Sequence, residues 1–257
     1  MTDIEYGALI IARLSSSRLP KKNIIKIMDK PMIEHLYDRV SRSKNLSKII
    51  ICTSTHPTDD DLEKLCIKNN WDIYRGSLED IMERQVKAAE QFNIKNIVEI
   101  LGDNPLVHSE IIDDVINIHA NNKVDYVGNI TKEYSNTDNK TLFSIGLRVQ
   151  VYATELASKY KSYEVFKDPT LHPSSFIYNN ENFSSAYLEA VGKYDYLNKP
   201  DLNFAVNYKK NFILIREIFE NLYNDDNNFD LKKVFEYLER NKYLYHMFGA
   251  EWKLEQQ

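Results

Sequence analysis

The chain has 257 residues, of which 43% are hydrophobic and 28% charged, with 7 Gly, 7 Pro and a formal charge of −5. This is the composition of one globular domain with a large core, not of a disordered chain, and its acidic balance argues against broad nucleic-acid binding, so clustered positive charge must serve a small anion. No apolar run approaches the roughly 20 residues of a bilayer span, and "MTDIEYG" lacks a basic and then apolar leader, which predicts a cytoplasmic protein without membrane contact.

The first predicted element is a strand over Ala8–Ala12, a continuous apolar run of the kind buried central strands carry. A basic loop, "RLSSSRLPKKN", follows. The stretch from Lys30 to Asn45 then places Ile33, Leu36, Tyr37 and Val40 on one helical face. A strand over 49–53 contains Cys52, and the next helix opens on Asp59, Asp60 and Asp61, with Leu62, Leu65 and Cys66 inward. These three carboxylates are expected to complement the helix dipole. Two cysteines so placed are core residues, not a disulfide framework or a zinc site. Residues 77–92 predict a helix capped by Ser77, and 96–101 a buried strand that stops at "GDNP". Ser109 is expected to cap the helix that follows, and "VDYVGN" closes the pattern. Repeated β-loop-α units of this length predict an α/β fold with a mostly parallel sheet and helices on both faces. The stretch from about 134 to 199 breaks that rhythm and is rich in Tyr, Ser and Asn, so it reads as an inserted region facing substrate and a second subunit. Helices return over about 208–245, with Asp230 capping a helix that turns Leu231, Val234, Phe235 and Leu238 inward. Nothing in the composition separates a second domain, so 1–257 is read as one unit.

In such sheets ligands bind beyond the C-terminal ends of the strands, where two distinctive loops are expected. In the first, Ser15, Ser16 and Ser17 allow backbone N–H groups and hydroxyls to approach phosphate oxygens, Arg13, Arg18, Lys21 and Lys22 supply charge-assisted donors, and Pro20 stiffens the turn. Neither G-x-x-x-x-G-K-[ST] nor G-x-G-x-x-G is present. Taken alone, the loop reads as a solvated basic turn. In the second, Asp103 offers one carboxylate after a buried strand and Pro105 fixes the turn; a helix or turn cap is the alternative reading.

The loop does not stand alone. "ARLSSSRLPKKNI…DKPMIEHLYDRV", "RGSLEDIMERQVKAAEQF" and "ILGDNPLVHSEIID", in this order, resemble the spore-coat-polysaccharide type of cytidylyltransferase, related to CMP-Kdo and CMP-sialic acid synthetases. The likeness is dense over 8–130 and weaker to about 240. It implies a Rossmann-like nucleotidyltransferase fold, CTP and Mg²⁺ as ligands, a homodimer, and attack of an acceptor oxygen on the α-phosphate with loss of pyrophosphate. The motif A-R-x-x-S-x-R-L-P-x-K falls on Ala12, Arg13, Ser16, Arg18, Leu19, Pro20 and Lys22, with Lys21 where relatives often have Gly. By resemblance Lys22 and Arg18 face the β- and γ-phosphates and act in catalysis, Arg13 faces the α-phosphate, Arg84 flanks the nucleotide unless it is a surface helix residue, and Asp103 binds Mg²⁺. Where relatives carry a second metal-binding aspartate this chain has Asn207, and Asn203 stands at their arginine. Arg148 and Gln150 replace two carboxylates, which suggests a small anionic acceptor, with His172 a further contact; a surface ion pair and a structural histidine are the plain alternatives. The expected activity is transfer of CMP from CTP to an acidic sugar, phosphate or phosphonate. Use of another NTP on a sugar phosphate, a non-catalytic nucleotide binder, and a glycosyltransferase remain as other readings, the last weakened because Asp59–Asp61, the nearest D-x-D match, opens a helix.

Overall fold

The computed structural model describes residues 4–134, 137–163, 172–223 and 229–244. In chain order its strands are β1 (Ile4–Ile11), a short hairpin of β2 (Lys26–Ile27) and β3 (Lys30–Pro31), β4 (Lys48–Ser54), β5 (Asp72–Gly76), β6 (Ile94–Leu101), β7 (Tyr126–Asn129), β8 (Val149–Ala153) and β9 (Ser185–Leu188). The α-helices are α1 (Met32–Val40), α2 (Asp60–Lys68), α3 (Ile81–Gln91), α4 (Ser109–Asn122), α5 (Thr154–Ser158), α6 (Ser175–Tyr178), α7 (Lys209–Leu222) and α8 (Leu231–Arg240).

Apart from the hairpin, the strands form one sheet in the order β5-β4-β1-β6-β8-β7-β9. The first four run parallel, β8 runs against both its neighbours, and β7 pairs parallel with β9. Strand alternation divides the core. Ala8, Ile10, Ile51, Val98 and Ile100 pack on one side with Leu36, Leu62, Ile112, Leu214 and Val234; Leu9, Ile50, Cys52 and Ile97 pack on the other with Met82, Ala157 and Phe176. The mostly parallel sheet with helices on both faces is therefore the fold this chain adopts. Both cysteines are buried, and desolvation pushes each thiol up to about 12.

Three details differ from the sequence reading. Helix α3 begins at Ile81, and its cap is Asp80, whose Oδ1 accepts from the Glu83 N–H; Ser77 Oγ accepts from the Asp80 N–H instead. Helix α4 contains Ser109 and is capped by His108, whose Nδ1 accepts from the Glu110 N–H. The stretch 134–199, in part outside the described residues, is woven into the sheet, since it supplies β8 and β9. Polar and aromatic residues hid both strands: Gln150 and Tyr152 of β8 build a buried polar network in place of an aliphatic core, and the residues of β9 are only half-buried. Asp230 caps α8 as expected, and Leu231, Val234, Phe235 and Leu238 are buried. The last residues of the expected helical stretch and of the chain, 245–257, lie outside the described residues.

Candidate active site

The C-terminal ends of β1, β4 and β6 are stitched together: the Ala12 N–H donates to Cys52 O and the Gly102 N–H to Ile11 O. Gly102 is required there, because a Cβ would stand 2.9 Å from both Ile11 O and Ala12 Cβ. The first loop leaves this seam with Ala12 and Leu14 buried and Arg13 and Ser15 exposed. At its base the Lys21 N–H returns to Leu14 O, and Lys21 holds a left-handed φ of 56°, the conformation that favours Gly at this position.

Ala12, Arg13 and the stretch 15–18 of this loop wrap a cleft of about 260 Å³ that Ile11, Lys22, Asn23, Ile81, Arg84, Leu101 and Asp103 complete. All the predicted nucleotide-binding residues, Ala12, Arg13, Ser15, Ser16, Ser17, Arg18, Lys22, Arg84 and Asp103, thus line one space. Arg84 is only 1% exposed, so it is no surface residue; its Nη1 donates to Ser77 O at 2.8 Å and its Nε meets no partner. The cap at Asp80 sets the first turn of α3, and with it Ile81 and Arg84, against the cleft.

At the mouth, Lys22 Nζ lies 2.6 Å from Asp103 Oδ2 and donates to Asn207 Oδ1 at 3.1 Å. Arg18 Nη2 donates to the same amide oxygen at 2.9 Å, with its guanidinium 5.2 Å from the centre of the Tyr208 ring. Asn207 reaches Asp103 across more than a hundred residues because the Val206 N–H donates to Asp103 O and the Phe204 N–H to Ile145 O. Gly146, at φ 88°, lets that segment pass, since a Cβ would meet Ala205 N at 2.3 Å. Asn203 is buried beneath it and accepts from the Ala205 N–H.

Asp59 is the residue sequence reasoning misplaced. It does not decorate a helix end: it is fully buried, and its carboxylate accepts from the Leu14 N–H at 2.7 Å, the Thr53 hydroxyl at 3.0 Å, and the N–H and hydroxyl of Ser54. Asp60 and Asp61 pair with Arg75 and Lys21, both at 2.8 Å. Lys21 is thereby turned from the cleft, and its extra charge relative to a glycine is compensated.

Arg148, Gln150 and His172 come together beside the cleft rather than in its lining. Gln150 pairs with Glu99 across β8 and β6, which sets Arg148 at the sheet edge near Leu101. Arg148 is 2% exposed, its guanidinium 4.7 Å from the centre of the Tyr134 ring and 5.9 Å from that of Tyr178, with Nε unpartnered. Its Nη2 donates to Gln150 Oε1, which also accepts from the Tyr126 and Ser174 hydroxyls; Gln150 Nε2 donates to Glu99. His172 Nε2 lies 3.2 Å from Glu99 Oε1. Burial pushes Glu99 up, while burial and then Arg148 hold the His172 imidazole well below the ordinary histidine range. The surface ion pair considered for Arg148 is not what the chain builds.

The basic, serine-rich loop lies at the carboxyl edge of a parallel sheet beside one carboxylate, the place where α/β proteins of this kind hold their ligands. The chain belongs to the cytidylyltransferase family, whose model matches residues 8–247, and is thus a nucleotidyltransferase. It is 30% identical over 234 residues to the uncharacterized protein MJ1063 of Methanocaldococcus jannaschii, covering 91% of this chain and 90% of that one. It is 36% identical over 130 residues to the spore coat polysaccharide biosynthesis protein SpsF of Bacillus subtilis, a match spanning 49% of this chain and 53% of SpsF. A cytidylyltransferase of Leptospira borgpetersenii superposes with a TM-score of 0.82 at 21% identity, over 96% of this chain and 98% of its own. A CMP:2-keto-3-deoxy-manno-octonic acid synthetase complexed with CTP does so at 0.60 and 13%, over 84% and 99%. Among the described residues no helix is long and apolar enough to cross a membrane.

Proposed function

We propose that the protein binds CTP with Mg²⁺ across the first loop and Asp103 and transfers CMP to a small anionic acceptor, releasing pyrophosphate. The observation that carries this reading is the convergence of Lys22, Arg18, Asp103 and Asn207 at the mouth of the cleft. An acceptor oxygen attacks the α-phosphorus, the bond to the β-phosphate oxygen breaks, pyrophosphate takes the electron pair, and the acceptor's proton passes to solvent. Lys22 and Arg18 neutralise the leaving phosphates, Arg13 faces the α-phosphate, and the serine hydroxyls and backbone hold the chain of phosphates in line.

The donor set fits a magnesium ion. An ammonium already sits against Asp103 Oδ2 and Asn207 Oδ1, so the pocket between them accepts a cation. Mg²⁺ takes one or two protein oxygens and completes its shell with phosphates and water, and Asp103 and Asn207 would offer two such oxygens. Bound there, Mg²⁺ would act as Lewis acid and template.

The buried Arg148 beside the cleft supports an acidic acceptor, as do relatives named 3-deoxy-manno-octulosonate cytidylyltransferase, which this chain matches over 48% or less of their length. With SpsF named for spore coat polysaccharide, the product is expected to feed surface polysaccharide or glycoconjugate synthesis. Pure protein given each NTP with ulosonic acids, sugar phosphates and phosphonates should release pyrophosphate with CTP and an acidic acceptor, and Asp103→Asn should lower turnover by about 10²-fold or more. Preference for another NTP, or unchanged turnover in the variant, would overturn the reading.

A further inference from the structure

We infer that Lys22 decides the form in which the metal enters: it holds the metal position itself until a triphosphate draws it away, so the divalent ion binds with the nucleotide and not before it. This deepens the proposed function and rests on it. The ammonium is 2.6 Å from Asp103 Oδ2 and 3.1 Å from Asn207 Oδ1, and Lys22 is 8% exposed, so the contact is built into the fold rather than made by a loose surface chain. A magnesium ion held by the same two oxygens would need the space between them that the ammonium fills, so the two cations exclude one another.

Two further features favour the lysine over a lone metal. The site offers a single carboxylate, because Asn207 brings an amide, and Mg²⁺ sheds its water reluctantly for so weak a donor set. Arg18 also occupies Asn207 Oδ1, so two cationic side chains must withdraw before the amide oxygen is available. A triphosphate supplies the force, since phosphate oxygens compete for the same ammonium and guanidinium through charge-assisted hydrogen bonds. Once these turn to phosphate, Asp103 and Asn207 are left facing each other without a cation. Metal and nucleotide then favour each other's binding, and the coupling is reciprocal.

The test needs no turnover. Mn²⁺ serves as the probe, titrated into nucleotide-free protein and followed by electron paramagnetic resonance. Wild type should show no Asp103-dependent site up to millimolar Mn²⁺. Lys22→Met should acquire one, at least about tenfold tighter than wild type, within the range usual for coupled sites. Adding Asp103→Asn to Lys22→Met should abolish it. Calorimetry in EDTA should show CTP binding to wild type without metal. Tight Mn²⁺ binding by wild type that Asp103→Asn removes would overturn the inference, even if Lys22→Met proved unable to fold. A folded Lys22→Met variant no better than wild type would do the same. A protein that binds no CTP under any condition would instead defeat the proposed function, while the Mn²⁺ comparison, which uses no nucleotide, would still be read on its own.

Discussion

With its carboxylate accepting from Leu14, Thr53 and Ser54, Asp59 couples the exit of β4 to the base of the first loop. Asp59→Ala leaves two backbone N–H groups and two hydroxyls without their acceptor, and should cost about 3 kcal/mol or more of unfolding free energy in urea. Asp59→Asn keeps one acceptor oxygen and should cost less. If the carboxylate sets the loop as well as the fold, the KM for CTP should rise in the Asn variant while that for the acceptor holds; equal changes in both would confine Asp59 to stability. This residue was not legible in the sequence, since three adjacent aspartates before an amphipathic run read as a helix start, and only the tertiary fold brings Leu14 to the first of them. Lys22, Arg18, Arg84 and Asp103 were legible through motif order. That Lys22 spans Asp103 and Asn207 was not, because those contacts cross 81 and 185 positions of chain.

Helix α3 carries Ile81 and Arg84 to the cleft on its first turn, and that turn is fixed by Asp80, which also accepts from the Tyr160 hydroxyl at 2.5 Å. Asp80→Ala removes the cap and should lower stability by about 1 kcal/mol. Because the loosened turn is the one that presents Arg84, CTP should bind more weakly as well, and calorimetry on the variant measures this. Unaltered CTP affinity would show that Arg84 needs no help from the cap. The parallel strands and the helices between them were readable because each unit shows one clear period. Caps were off by one to three residues, since Ser77 and Ser109 are good capping types whereas Asp80 and His108 won through geometry that periodicity does not report. Strands β8 and β9 escaped because Gln150, Tyr152 and Tyr187 sit where an aliphatic alternation would have announced a strand.

Among the described residues, three histidines are held below the ordinary value of 6.5: His108 to about 4 by burial and then Arg39, with His119 and His172 lowered chiefly by burial. For each, the unfolded chain binds a proton more readily than the folded one, so their contribution to stability is complete above pH 6.5 and declines as pH falls. For His108 the decline runs to about pH 4. Glu99, raised by burial, acts oppositely, since its folded form holds a proton that the unfolded chain releases above 4.5. His108→Asn keeps a side-chain acceptor for the Glu110 N–H but does not titrate. The fall in thermal midpoint between pH 6.5 and 4 should therefore be shallower in this variant than in wild type, by the equivalent of about 1–3 kcal/mol at the acid end. Parallel curves would assign the acid response elsewhere. The backbone bond from Val206 to Asp103 also has a consequence for synthesis. At about 5–20 residues per second, Asp103 leaves the ribosome some 5–20 s before Val206 does. During that interval the first loop and Asp103 have been made, but Asn207 has not. A nascent chain arrested before residue 206 lacks the amide at the cleft mouth, so the site becomes whole only as a late event of translation.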